Sequence, residues 1–268
     1  MMLTRPYILV LLVILFACNP DIDKDITTDL QVEGNEIFRV SFALEESYLF
    51  AFQNLDAYRN ADTLSLPGCP DILINETDRK VTLDFDVERD CPRGNTIERK
   101  GKIHLEFLQP GTFERITLIS YEDYEVKNFR IEGSREFRQL LNFNRRTESF
   151  SDLLILDQFG SSTRVNGEYE FTLSFTNSTL SEFEVTGSLN GRNITGRPIR
   201  MEPNNPKKYQ ASCILSGQHL PNTGRETWRI FRNTTLATTH NLNYEADSDC
   251  QNKAIVNLSD GRQVIFEQ

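Results

Sequence analysis

The chain has little positive charge for its size. Lysine and arginine together number 29, against 39 aspartate and glutamate residues, so the formal net charge is −10 at pH 7. An acidic protein repels the phosphate backbone of nucleic acids, and no basic stripe in this chain is long enough to overcome that field. Nucleic-acid binding is therefore not expected.

Histidine is also scarce, and the usual catalytic motifs are missing. The three histidines, His104, His219 and His240, are widely separated. No metalloprotease helix, nucleophile elbow, phosphate loop or dinucleotide fingerprint occurs. We therefore assign no catalytic residue, no metal site and no cofactor, and an enzyme is not expected. Because carboxylates are plentiful, a glycoside hydrolase with two of them about 5–9.5 Å apart stays open as an alternative.

The apolar run at residues 7–16 is too short to cross a bilayer, for which about 20 residues are needed. It follows one positive residue, Arg5, and precedes the small residue Ala17, which is typical of a secretory signal peptide. Residues 15–18 resemble the lipobox of bacterial lipoproteins. That resemblance implies that residues 1–17 are removed and that a lipid on Cys18 anchors the mature chain to a membrane. An ordinary secretory signal is the alternative.

Four further cysteines agree with export. An even number of cysteines in an exported chain predicts disulfides, and four cysteines allow three pairings. Two of the cysteines bracket one predicted hairpin and two lie in the C-terminal third, which favours pairing Cys69 with Cys91 and Cys213 with Cys250. Zinc is the alternative, but no two of these cysteines have the spacing of a metal knuckle.

Residues 18–35 are acidic and contain few large apolar side chains, which predicts a solvated tether. Asp21, Asp23 and Asp25 follow the proposed anchor. Acidic residues in that place resemble the surface-export signal of Bacteroidetes lipoproteins. This resemblance implies an outer-membrane lipoprotein and favours display on the cell surface over a periplasmic orientation.

A helix is predicted at residues 43–58. Leu44, Tyr48, Phe52 and Leu55 recur at spacings of four, four and three residues, so they share one helical face. Such a stripe is expected to pack on a sheet.

From residue 71 onward, apolar residues alternate with polar ones, which predicts strands with one buried face. Turn signals separate the runs; Asn166-Gly167, Asn190-Gly191 and Asp260-Gly261 are the strongest hairpin candidates. The predicted fold is mainly β: an antiparallel meander forming a sandwich, an open barrel or a curved sheet, with one amphipathic helix packed on it. Residues 36–268 are predicted to form a single domain; a boundary near residues 140–165 is the alternative.

Several motifs resemble a group of uncharacterised lipoproteins from the Bacteroidetes. They are Cys69-Pro70, a strand ending in Asp84-Phe85, Cys91, the segment Arg99-Lys100-Gly101-Lys102-Ile103, the segment Glu132-Gly133-Ser134-Arg135, and Cys250-Gln251-Asn252-Lys253-Ala254. The segment 134–164 departs from the group, with an Arg145-Arg146 pair and an apolar run at residues 153–156. No activity is implied by this resemblance.

Three aromatic residues are candidates for stacking on a sugar ring: Tyr121, Tyr124 and Trp228. For Trp228 the sequence favours packing in the core over stacking, since Thr227 and Arg229 flank it and Ile230 and Phe231 follow it. The sequence favours a membrane-anchored, non-catalytic binding or scaffolding domain of the bacterial envelope, with a glycan or an envelope protein as partner. An outer-surface carbohydrate-binding lipoprotein and an envelope hydrolase are the alternatives.

Overall fold

The computed structural model describes residues 26–267, except residues 88–90, 92–96, 144, 178 and 247–249. The proposed signal peptide and Cys18 lie outside the described residues. No helix in the described part of the chain is both long and apolar enough to span a membrane.

Within the described residues, fourteen strands form one antiparallel sheet, and the predicted mainly β meander is confirmed. Except at β5 and β6, neighbours in the chain are neighbours in the sheet. The strands are β1 Asp71–Asn75, β2 Lys80–Asp84, β3 Arg99–Gly111, β4 Glu114–Val126, β5 Phe129–Glu132, β6 Ser134–Leu140, β7 Arg145–Asp157, β8 Ser162–Thr176, β9 Thr179–Arg192, β10 Pro198–Gln210, β11 Thr223–Phe231, β12 Ala237–Ala246, β13 Asn252–Asn257 and β14 Gln263–Glu267.

Strands β5 and β6 fill one position in the sheet, because both pair with β4 on one side and β7 on the other. Gly133 separates them with a φ of 117°, a backbone conformation that favours glycine. Strand β7 joins the two halves of the sheet, since it pairs with β6 and with β8.

A helix fills the concave side of the sheet. This helix, α1, spans Ile26–Glu45, and its side chains contact strands from both halves of the sheet. Phe42 packs on Phe129 of β5, whereas Phe38 stacks on Phe266 of β14. Gly34 lets β13 and β14 approach closely, because a Cβ there would lie 3.0 Å from a methyl carbon of Leu258. The fold is therefore a curved sheet wound around a buried helix.

The helix begins earlier than predicted, so residues 26–35, assigned to the tether, are helical. The single helix predicted at residues 43–58 is wrong. Two short helices follow α1 instead: α2, Tyr48–Phe52, and α3, Leu55–Arg59. Asn54 interrupts the stripe because its side chain caps α3 by accepting the Ala57 N–H at 2.8 Å.

Both predicted disulfides are present. Cys69 is bonded to Cys91, and Cys213, in α4 (Ala211–Leu215), is bonded to Cys250 just before β13. The first joins the segment before β1 to the segment before β3. Each is expected to stabilise the fold by about 2–4 kcal/mol through restricting the unfolded chain.

Of the three strongest turn candidates, only Asp260-Gly261 lies between strands. The other two pairs lie inside β8 and β9, where Asn166 faces Asn190 across the ladder, so the prediction of turns there is wrong. The glycines of these two pairs instead allow groups of the neighbouring strands to approach the backbone closely. A Cβ on Gly167 would lie 2.5 Å from the Phe150 ring, and one on Gly191 would lie 2.0 Å from the Arg164 carbonyl oxygen.

Candidate functional site

Buried ion pairs connect α1 to the sheet around it. Near the start of the helix, Glu33 binds Arg232 at 2.6 Å and His240 at 3.0 Å. Near its end, Glu45 binds Lys207 at 2.7 Å, and Lys207 also binds Glu226 at 2.6 Å. Because buried charges are costly unless they are paired, these contacts fix where the helix sits in the sheet.

The Lys207 group contains two buried acids, Glu45 and Glu226. Burial works to lower the pKa of Lys207, but Glu226 and Glu45 hold it well above its ordinary value. Burial raises the pKa of Glu45 despite the nearby ammonium group. Ser41 donates to both carboxylates and lies 2.8 Å from the Tyr244 hydroxyl. Both carboxylates thus bind groups inside the protein, although Glu45 Oε2 has no hydrogen-bond partner among the described residues.

A second buried group lies at the C-terminal end of α1. Arg99 donates to both oxygens of Glu46, at 2.6 and 3.2 Å, and Tyr124 donates to the same carboxylate at 2.8 Å. His219 lies 3.1 Å from Arg99, and burial lowers its pKa to about 4. His219 is therefore neutral at pH 7.

The proposed sugar-stacking role does not fit the positions of the three aromatic residues. Trp228 is 1% exposed, and its indole N–H donates to Glu226 at 2.9 Å. Tyr124 is fully buried. Tyr121 is half-buried, with its hydroxyl 2.8 Å from the Ser47 hydroxyl and accepting from Arg135 at 3.1 Å. These rings pack in the interior, so stacking by Tyr124 or Trp228 on a ligand is wrong.

A pocket of about 490 Å³ opens at one end of the sheet. Helices α2 and α3 line one side of it, and strands β3, β4, β6 and β7 line the other. Successive hairpins of a meander turn at alternate ends, so the β3–β4, β6–β7 and β8–β9 turns share this end; we call it the pocket end. The pocket is more enclosed than the surface hollows around Tyr169, Arg232 and Arg164.

Arg115, Gln139 and Arg146 form a row along the wall of this pocket. They lie directly opposite one another on β4, β6 and β7. Arg146 is half-buried and donates to the Gln139 side-chain oxygen at 3.1 Å, and its guanidinium carbon lies 4.9 Å from the centre of the Phe52 ring. We call these three residues the cationic row.

The charge of the cationic row is not neutralised by the protein. Within the described residues, neither Arg115 nor Arg146 forms an ion pair with a carboxylate. Burial, together with the nearby Arg115, lowers the pKa of Arg146 to about 10. A bound anion would stabilise the charged form of the Arg146 guanidinium and so oppose this lowering of its pKa.

Two other arginines line the pocket, with different surroundings. Arg59 is paired with Glu76 and with Asp56, so its charge is balanced. Arg79 donates to the backbone carbonyl of Phe107 at 3.1 Å. Asp56 is the acid among the described lining residues, and the pocket does not bring two carboxylates together as a glycoside hydrolase requires.

Apolar side chains form the floor of the pocket. Phe107 and Phe137 are buried there, and Phe52 packs edge-on against Phe171. At the rim, Phe175 is 55% exposed. The pocket therefore combines an unneutralised cationic wall with an aromatic floor.

No family model, no curated protein and no solved structure matches the chain. Over the part of the chain that the structure describes, no cluster of three or more histidine, cysteine, aspartate or glutamate side chains could hold a metal ion.

Proposed function

We propose that this chain is a lipid-anchored binding domain of the bacterial envelope and that it holds its ligand in the pocket beside α2 and α3. The observation that carries the proposal is the cationic row, in which Arg115 and Arg146 have no carboxylate partner among the described residues and flank Gln139 on the wall of a pocket with an aromatic floor. The volume of the pocket, about 490 Å³, lies in the range of natural ligand sites, about 300–1,000 Å³, and its polar groups could fix the orientation of a ligand.

The proposed role is binding rather than catalysis. Glu45 and Glu226, a pair of acids that lie close together, are buried and both bind Lys207. Among the described lining residues, the arginines and amides can hold an anion, and the carboxylate of Asp56 is paired with Arg59.

The anchor in this proposal is a lipid on Cys18 in the outer membrane, with the domain at the cell surface. Glu33, near the start of α1, contacts Arg232 and Arg197, which lie in the β11–β12 and β9–β10 turns. Those turns are at the end of the sheet opposite to the pocket. The anchored end and the pocket end would therefore lie apart, which suits capture of a ligand away from the anchoring membrane.

The test is to identify small molecules that stay bound to the protein. The full chain is purified from the envelope as the wild type, as Arg146→Gln and as Arg145→Gln, and bound molecules are released and identified by mass spectrometry. Arg145 is the matched control, because it is the adjacent arginine in β7, is exposed, and pairs with Glu170 at 2.9 Å.

We expect a molecule that stays with the wild type and with Arg145→Gln but is depleted from Arg146→Gln. Equal recovery from all three proteins would refute the pocket as the binding site. Recovery of a glycan that is insensitive to Arg146→Gln would instead favour the carbohydrate-binding alternative.

A further inference from the structure

Resting on the proposed function, the geometry points to the class of ligand: a small amphipathic anion whose carboxylate or phosphate group binds the cationic row and whose apolar part lies on the aromatic floor. The two halves of this ligand correspond to two different surfaces of one pocket.

The head-group site is the cationic row. Directly opposed residues on neighbouring strands have Cβ atoms about 4.5–5.5 Å apart, so Arg115 and Arg146 flank the Gln139 amide on one face of the sheet. Arg146 donates to the Gln139 side-chain oxygen, and this contact orients the amide. Among the described residues, the amide N–H groups of Gln139 are not used as donors. An anion placed over Gln139 would receive hydrogen bonds from two guanidinium groups and one amide. Guanidinium groups suit this task because their planar fork matches carboxylate and phosphate oxygens.

The arginines of the cationic row differ in charge balance from other arginines nearby. Arg145, the neighbour of Arg146, points to the other face and is paired with Glu170, and Arg59 is paired with Glu76. Among the described residues, carboxylates therefore balance the charge of some arginines around the pocket but not of others. Burial lowers the pKa of Arg146, and an anion would oppose that shift.

The aromatic floor argues for a ligand with an apolar part and against a bare inorganic anion. The Phe52 ring packs on Phe171 and Phe183, so the floor is continuous with the core. Two exposed phenylalanines also lie in turns at the pocket end: Phe113 in the β3–β4 turn is 56% exposed, and Phe143 in the β6–β7 turn is 77% exposed. An inorganic anion would leave all of these surfaces unused.

The experiment measures which part of the ligand is recognised. The full lipidated chain is placed in phosphatidylcholine nanodiscs, and binding of radiolabelled probes is measured by equilibrium dialysis against empty nanodiscs. The probes are octanoate, octyl phosphate, octanol and inorganic phosphate. The first two carry both a charge and an apolar chain, whereas each of the last two carries only one of these features. Comparing octanoate with octyl phosphate separates a carboxylate from a phosphate head group.

We expect octanoate, octyl phosphate or both to bind at least about tenfold more tightly than octanol, which lacks the charged group, and than inorganic phosphate, which lacks the apolar chain. Arg146→Gln and Arg115→Gln should each weaken binding about tenfold, and Arg145→Gln should stay within about twofold of the wild type. Arg115 is exposed, so its variant tests the site even if Arg146→Gln disturbs folding.

Octanol binding as tightly as octanoate, inorganic phosphate binding as tightly as octyl phosphate, or equal effects of Arg145→Gln and Arg146→Gln would overturn the ligand class. If no octyl anion binds but a molecule from the envelope is retained in an Arg146-dependent manner, the pocket stands and only the ligand class is wrong. If neither occurs, the proposed function fails as well.

Discussion

Arg135 donates to Glu148 at 2.5 Å inside the sheet, and the side chains of both residues are completely inaccessible to solvent. Arg135 also donates to the backbone carbonyl of Leu44 at 2.7 Å, near the end of α1. One guanidinium thus joins β6, β7 and the central helix. The same arrangement recurs at Lys207 and at Arg99, so the helix is held at several points by ions that have no access to water.

Replacing Glu148 by Gln should destabilise the protein by about 3–5 kcal/mol, because Arg135 would keep its charge in the interior without a partner. Urea unfolding of the full chain measures the loss. Glu136→Gln is the control, since Glu136 pairs with Arg138 at 2.8 Å on a partly exposed face, and that change should cost less than about 1 kcal/mol. Equal losses in the two variants would show that burial of the Arg135 pair is not what matters.

Acid should destabilise the fold through His219. Burial lowers its folded pKa to about 4, while the unfolded chain has an ordinary histidine pKa near 6.5. Between these values the unfolded state binds a proton that the folded state does not, so stability falls as pH decreases from about 6.5 to about 4. Arg99 also holds the pKa of Glu46 below its usual range despite burial, so Glu46 adds a further loss at lower pH, as the pH falls through its folded pKa.

His219→Gln removes the histidine contribution to this pH dependence. Chemical unfolding at a series of pH values should show a shallower decline between pH 6.5 and 4 than in the wild type, even though the variant is less stable at pH 7. A decline of the same slope in both proteins would mean that His219 does not remain neutral in the folded state.

The alternating pattern was sufficient to predict the sheet because strands such as β2 and β3 obey it strictly. Val81, Leu83, Ile103 and Leu105 are all fully buried, as their spacing predicts. The start of the helix could not be predicted in the same way. Glu33 and Glu36 interrupt its apolar stripe, and their partners Arg232 and Thr163 lie far away in the chain. A buried carboxylate cannot be told from a solvated one until those partners are placed.

The candidate site could not be predicted from the sequence, because the alternation of inward and outward side chains shifts by one residue within β7. The apolar run at residues 153–156 buries Leu153 and Ile155, and simple alternation from these residues would point Arg145 inward. A bulge between Phe150 and Leu153 shifts the register, and Asp152 there has a φ of 54°. Arg146 consequently faces the pocket. Trp228 was ambiguous for a related reason, because the inward position before it is occupied by the polar residue Glu226.

Gly191→Ala should destabilise the protein by about 1–3 kcal/mol or more, as expected for overpacking, because its Cβ would lie 2.0 Å from a backbone carbonyl oxygen of β8. Gly111→Ala is the matched control, since a Cβ there meets no atom within 4 Å, and it should be neutral or slightly stabilising. Thermal unfolding followed by circular dichroism compares the two. If Gly191→Ala proved neutral, the close contact between β8 and β9 would be wrong.

Cys18→Ala should abolish the anchor without changing the fold, because Cys18 precedes the described domain and is not one of the four cysteines in the disulfides. Cells grown with labelled palmitate should incorporate label into the wild type and not into Cys18→Ala, and the variant should move from the membrane fraction to the soluble fraction. The melting temperature of the released variant in urea-free buffer should match that of a wild-type sample freed from its lipid. Incorporation of label into Cys18→Ala would refute lipidation at this residue, and retention in the membrane without label would show that another part of the protein holds it there.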